Sequence, residues 1–184
     1  IRKVPGIVRV DGRAFHTFTR SYPDFSEDIA ESMKAASFDV LRELQGGVLA
    51  YTQSDEASFL LLDDKLVQSE PHLGYNIQKI VSTTAALFSI RFNSYLGCSE
   101  HFDARAFSIP ESDVSNYFLW RVKDAERNSL STLARQYFSH KQLLGKSAAA
   151  QHEMLHSVGI HWAVDLSQSQ RSGAFVLPTG GIPG

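Results

Sequence analysis

An α+β fold with the order β-α-β-β-α-β, extended by C-terminal helices, is the architecture this sequence predicts. Three observations carry it. A β-rich segment near the start is closed by Asp11-Gly12, two short apolar runs flank the polar Gln53-Ser54-Asp55-Glu56, and longer stretches between and after them have helical periodicity.

Val4 to Val10 (VPGIVRV) is β-rich and stops at Asp11-Gly12, a strand followed by a turn. Ser26-Glu27-Asp28 caps a helix that carries Ile29, Met33, Val40, Leu41 and Leu44 at helical spacing and ends at Gly46-Gly47. Val48 to Thr52 and Ala57 to Leu62 form a hairpin with the polar tetrad at its tip. A helix over about 75–95 leads into a fourth strand, Phe102 to Ile109, and helices are expected over about 114–138 and 147–158. This order matches the ferredoxin-like split βαβ arrangement. One domain is expected at 184 residues and 43% hydrophobic content, with 1–110 as its catalytic part. Residues 111–184 then form a helical extension packed on it, ending in a flexible LPTGGIPG tail. The chain opens at Ile1 rather than Met and already in strand-like sequence, so a preceding segment is expected.

The lone Cys98 excludes a disulfide framework or a thiolate zinc cluster, and no apolar run is long enough to span a bilayer. A soluble, reducing, cytoplasmic setting is the expectation. A net charge of −2 and a pI near 6.4 argue against coating nucleic acid by bulk charge, yet permit a local basic groove.

In the split βαβ arrangement the first and third strands are antiparallel neighbours, which sets Asp11 beside Asp55. Two carboxylates so placed repel unless a cation lies between them, and a pair of Mg²⁺ ions is the usual answer in phosphoryl-transfer sites. Asp11 and Asp55 would bridge two ions roughly 3.5–4 Å apart. Gly12 would let the backbone approach metal or phosphate, its carbonyl serving as a ligand. Arg13, His16 and the backbone N–H groups of the turn face a triphosphate. Glu56 reads either as a further ligand or as a group that tunes the site. Lys79, early in an apolar helix, reads as a phosphate contact or as a surface lysine. Either carboxylate motif alone is more often a plain turn or hairpin tip, and the pairing is what gives them weight.

Arg127, Arg135, His140, Lys141 and Lys146 form a basic series suited to RNA, with a solvated helix face as the alternative. His152-Glu153-Met154-Leu155-His156 fits H-E-x-x-H, in which i and i+4 imidazoles hold zinc and the Glu activates its water. The flanks argue against a zinc peptidase. Trp162 stands where a metzincin places its third His, with His161 one position early, and no Glu follows Glu153. An amphipathic helix from Ser147, burying Ala150, Met154, Leu155 and Val158 and ending at Gly159, is expected instead.

The stretches VRVDGRAFHTF (Val8 to Phe18), SDEASFLL (Ser54 to Leu61), QKIVSTTAALF (Gln78 to Phe88), FDARAFSIP (Phe102 to Pro110) and NYFLWRVKDAERNSL (Asn116 to Leu130) resemble the tRNA(His) guanylyltransferase family and its guanylyltransferase-like 3′ to 5′ polymerase relatives. The resemblance implies a polymerase-palm-type domain binding two Mg²⁺ through Asp11, the Gly12 carbonyl and Asp55, with Glu56 counted among the catalytic acids. It implies that Arg13, Ala14, Phe15, His16 and Ser54 line the nucleotide site, with Lys79 and Arg105 on triphosphates. It also implies ATP and GTP as substrates, tRNA as partner, with Asn128 among its contacts, and a tetrameric assembly. In the family's reaction a tRNA 5′-monophosphate is activated with ATP or GTP, and the 3′-hydroxyl of an incoming nucleotide then attacks that end. Eukaryotic members carry H-I-N-N-L-Y-N where this chain has Glu126 to Thr132, and a K-P-N-D stretch is replaced near Arg20 to Asp24. Both departures resemble the bacterial, archaeal or phage branch, which repairs tRNA 5′ ends. The alternatives are a palm-type nucleotide cyclase, a zinc metallopeptidase using His152, Glu153 and His156, and a non-catalytic ferredoxin-like RNA-binding or regulatory module.

Overall fold

The computed structural model describes residues 4–63 and 71–179. In chain order it comprises β1 (Gly6–Gly12), α1 (Phe15–Phe18), α2 (Glu27–Glu43), β2 (Gly47–Gln53), β3 (Glu56–Leu61), α3 (Ile77–Leu96), β4 (Phe102–Ser108), α4 (Val114–Tyr137), α5 (His140–Leu143), α6 (Ala148–Ser157), α7 (Trp162–Asp165), α8 (Gln168–Ser172) and β5 (Ala174–Val176). The strands form one sheet in the order β4-β1-β3-β2-β5 with antiparallel neighbours throughout. The first four strands keep the ferredoxin-like order that the sequence predicts.

The chain divides into two compact units, Ile1–Asn116 with Ala174–Gly184, and Tyr117–Gly173. In the first unit, strand alternation sorts the side chains. Val8 and Val10 of β1 join Ala57 and Phe59 of β3 in a core with Met33, Ala36 and Val40 of α2 and Phe88 and Phe92 of α3. The intervening Arg9 and Asp11 point to the opposite face of the sheet. Each buried Phe contributes roughly 1.5–3 kcal/mol relative to exposure. Ser26 accepts from the Ile29 N–H at the start of α2, and Asn76 accepts from the Lys79 N–H at the start of α3. At the α2–β2 corner a Cβ on Gly47 would lie 2.7 Å from the Leu41 carbonyl oxygen, so only glycine fits.

Three features depart from the sequence expectation. β1 begins at Gly6, not Val4, with Pro5 supplying only a carbonyl that accepts from the Ile109 N–H at 3.1 Å. The Asp11-Gly12 turn continues into a short helix, α1, and a 3₁₀ turn over Thr19–Ser21. Ala174–Val176 is a strand that pairs with β2, where the Tyr51 and Phe175 rings lie 4.9 Å apart. Of the expected tail, residues 180–184 lie outside the described residues.

In the second unit, α4 buries Leu130, Leu133 and Ala134, α6 buries Leu155, and Leu166 is buried after α7. Ser129 Oγ accepts from the Trp162 indole N–H at 3.1 Å and donates to the Arg171 carbonyl at 3.0 Å, joining α4, α7 and α8. Val158 was expected in the core but is 48% exposed, because it caps α6 instead of extending it. Among the described residues no helix is long and apolar enough to cross a membrane.

Candidate active site

The rim of the sheet is built by three backbone pairings. Asp11 lies opposite Glu56 of β3 and Asp103 of β4, the Gly12 N–H donates to the Asp55 carbonyl at 3.0 Å, and the Arg13 N–H donates to the His101 carbonyl at 2.9 Å. The end of β1 is thus pinned between the hairpin tip and the start of β4. The β1–β3 register puts Asp11 and Asp55 together at one edge, as the strand order requires. Burial pushes the Asp55 carboxyl above the ordinary carboxylate range, and the negative charge of Asp11 pushes the same way. Its own backbone hydrogen bond, the Ser54 hydroxyl and the nearby His16 partly offset the rise.

Arg9 sits between two of the acids. Its Nη2 lies 3.6 Å from Asp11 Oδ2 and its Nε 3.5 Å from Glu56 Oε2. The Nε makes no well-angled hydrogen bond, so its contact with Glu56 is an ion pair by distance alone. Glu56 is 6% exposed, turned toward Arg9 and Ser58 Oγ, so of its two expected roles the geometry favours tuning the site over supplying a ligand. Arg9 escaped the sequence reading although period-two alternation puts it on the face of Asp11. Asp103 escaped it as well, and lies exposed on the same face by register.

Gly12 has a packing reason in addition to the expected one. A Cβ there would lie 2.5 Å from Cδ2 of Phe15, whose ring is 4% exposed and packs against Phe92 and Phe102 at 5.7 and 5.8 Å. Phe15 was expected to line the nucleotide site, but its ring belongs to the core, so only its backbone faces the rim. Ala14 and Ser54 both take left-handed backbone, with φ of 53° and 49°. Non-glycine residues in that region cost on the order of 1 kcal/mol or more each, and here they bracket the two carboxylates. Arg13, Ala14 and His16 are exposed on the turn, and the first turn of α1 leaves N–H groups without helical partners.

Arg105 is exposed on the face of Asp11, opposite Arg9 in the ladder. Lys79 is not brought to this rim. It lies in the first turn of α3, whose Ile77 and Ile80 line a cavity of about 270 Å³ with Gly6, Leu61 and Ser108 at the other end of the strands. In the second unit Arg127, Asn128 and Arg121 all reach Asp124, at 3.0, 3.4 and 3.1 Å, while Arg135, Lys141 and Lys146 are exposed.

The donor set suits a hard cation. Mg²⁺ keeps several waters and is held by one or two carboxylates plus substrate phosphates, which Asp11, Asp55 and the Gly12 carbonyl would provide. A divalent ion would also favour the charged form of Asp55 against its burial and against the nearby charge of Asp11. Among the described residues no group of three or more His, Cys, Asp or Glu is arranged to hold a metal, so nothing there supports the zinc reading of His152, Glu153 and His156. The His152 ring instead meets Trp162 edge-on at 5.5 Å.

The family model for tRNAHis guanylyltransferase matches residues 1–110. The chain is 32% identical over 136 residues to a probable tRNA(His) guanylyltransferase of Drosophila melanogaster, covering 70% of this chain and 47% of that protein. A solved bacterial tRNA(His) guanylyltransferase-like protein in complex with ATP has a TM-score of 0.95 at 32% identity, covering 100% of this chain and 83% of that one. A bacterial protein of the same description in complex with GTP has a TM-score of 0.86 at 30% identity, covering 96% and 76%. The chain spans about half the length of the curated relatives it matches, 47%, 55% and 52% of the first three.

Proposed function

From the membership of this chain in the tRNAHis guanylyltransferase family, we propose that it is a 3′ to 5′ nucleotidyltransferase that matures or repairs tRNA 5′ ends. The observation that carries this reading is the convergence of Asp11 and Asp55 at one rim of the sheet, locked by the Gly12 N–H to Asp55 carbonyl bond. In the first step an oxygen of the RNA 5′-monophosphate attacks the α-phosphorus of ATP or GTP and pyrophosphate leaves. In the second, the 3′-hydroxyl of an incoming GTP or other nucleotide attacks the activated 5′ phosphorus, losing its proton as the nucleoside monophosphate leaves.

Two Mg²⁺ ions, when bound, would acidify the attacking hydroxyl and neutralise the leaving group. Asp11, Asp55 and the Gly12 carbonyl would hold them. Arg13, the His16 side chain and the backbone amides after Ala14 bind the triphosphate, and Ser54 fixes Asp55. Arg105 adds a cation along the same face, and Arg9 keeps Glu56 and Asp11 oriented. Residues 1–110 form the catalytic part, and Arg127, Asn128, Arg135, Lys141 and Lys146 in the following helices contact RNA. Bacterial solved relatives and the lack of the eukaryotic H-I-N-N-L-Y-N run support 5′-end repair over strict tRNA(His) specificity. The working form is a cytoplasmic homo-oligomer, a tetramer by family resemblance, which sedimentation would read.

Incubation with a 5′-monophosphorylated tRNA lacking its first nucleotide, ATP, labelled GTP and Mg²⁺ tests the reading. Label should enter the RNA 5′ end, and an RNA-independent cyclic nucleotide product would indicate a cyclase instead.

A further inference from the structure

Four of the seven histidines, His140, His152, His156 and His161, fall within Tyr117–Gly173. That unit has seven lysines and arginines against four carboxylates, a net of +3 in a chain whose total is −2. Three of the histidines meet. The His152 and His156 rings, one turn apart on α6, have centroids 6.4 Å apart, and His156 stands 4.6 Å from His161 at the start of α7. At the inner end of this row the Trp162 indole meets His152 edge-on. The Arg171 guanidinium lies 5.3 Å from the indole ring, and Ser129 accepts its N–H.

Core packing does not account for the outer end of the row. His156 and His161 are exposed, and the neighbouring Val158 and Val164 are 48% and 80% exposed. Metal binding does not account for it either, since no group of three ligating residues is arranged for a metal among the described residues. Flat ring faces in a unit of net positive charge are what unpaired nucleotide bases stack on, with the cations of the unit following the phosphate backbone. The Asp165 carboxylate beside the row is engaged by the His161 N–H at 2.8 Å.

We propose that His156 and His161, backed by His152 and Trp162, form a stacking platform for unpaired bases of an RNA substrate. This rests on the reading that the chain acts on RNA 5′ ends, and it adds a contact by ring face to the charged contacts assigned above. The exposed Lys141 and Lys146 of the same unit supply the complementary charge.

Fluorescence anisotropy of the whole chain with a labelled single-stranded oligoribonucleotide, and with a blunt RNA duplex as control, tests the platform. His156→Ala and His161→Ala should each weaken single-strand binding about 5-fold or more and leave duplex binding unchanged. His156→Phe and His161→Phe should keep most of the affinity, because the ring face and not a ring nitrogen makes the contact. Alanine variants that bind like the parent, phenylalanine variants as weak as alanine, or an equal loss on duplex would each overturn the proposal. So would alanine variants that change the sedimentation coefficient and not RNA affinity, since the face would then join copies of the chain. Because the assay reads binding without turnover, a chain that shows the predicted pattern but incorporates no nucleotide fails the activity and keeps the platform. A chain that incorporates nucleotide with unchanged variant binding fails the platform alone.

Discussion

At the scale of single residues, the site is held together by groups that oppose one another. Asp55 keeps its proton to higher pH than an ordinary carboxylate because it is buried and faces Asp11. Between the unfolded value of about 3.9 and the raised folded value, the folded state retains a proton that the unfolded chain has released, so stability falls as pH rises through that window. Asp55→Asn should therefore raise the Tm of the metal-free protein at neutral pH and leave it unchanged below the unfolded value. Mg²⁺ should raise the Tm of the parent and not that of the variant. Thermal melts across pH, with and without Mg²⁺, read both effects, and a variant less stable than the parent at neutral pH would contradict them. Gly12→Ala presses a methyl group into the Phe15 ring, an overpacking that should cost about 1–3 kcal/mol in denaturant melts.

At the scale of elements, the four strands and two long helices of the first unit were legible because their periodicities are clean. Val8 and Val10 alternate with Arg9 and Asp11, and Ile29, Met33, Ala36 and Val40 recur along one face of α2. α1 was not legible, since four residues after a turn carry no period. β5 was hidden for a similar reason, as Ala174-Phe175-Val176 becomes a strand only through its partner β2. The meeting of Asp11, Gly12 and Asp55 was legible through strand order, whereas the role of Arg9 was not, because it depends on the register that sets Arg9 opposite Ser58 and so leaves Glu56 diagonally within 3.5 Å of its Nε. The burial of the Phe15 ring was not legible, because a residue inside a motif can serve through its backbone while its ring fills the core. Phe175→Ala should cost about 1–2 kcal/mol, less than the roughly 3–5 kcal/mol for a fully buried Phe, because the ring is half-buried and pairs with Tyr51. A denaturant melt with an unchanged midpoint would show that β5 adds nothing to the sheet.

At the scale of the whole molecule, charge is divided along the chain. The unit Tyr117–Gly173 is basic, and the unit that carries Asp11 and Asp55 is acidic overall. RNA affinity should consequently fall steeply with salt, and Arg135→Ala or Lys141→Ala should shallow that slope by about one contact each. Changing Asp11 or Asp55 should leave RNA affinity and its salt slope nearly unaltered. The central claim is that one rim of the sheet, carrying both carboxylates, performs nucleotide addition to an RNA 5′ end. Its most direct test is incorporation of labelled GTP into a 5′-monophosphorylated tRNA lacking its first nucleotide, in the presence of ATP and Mg²⁺, by the parent, Asp11→Ala and Asp55→Ala. The parent should label the 5′ end, and each variant should lose more than the roughly 10–100-fold typical of groups one shell removed from a metal. Incorporation that survives in either variant, or no incorporation by the parent, would contradict the account.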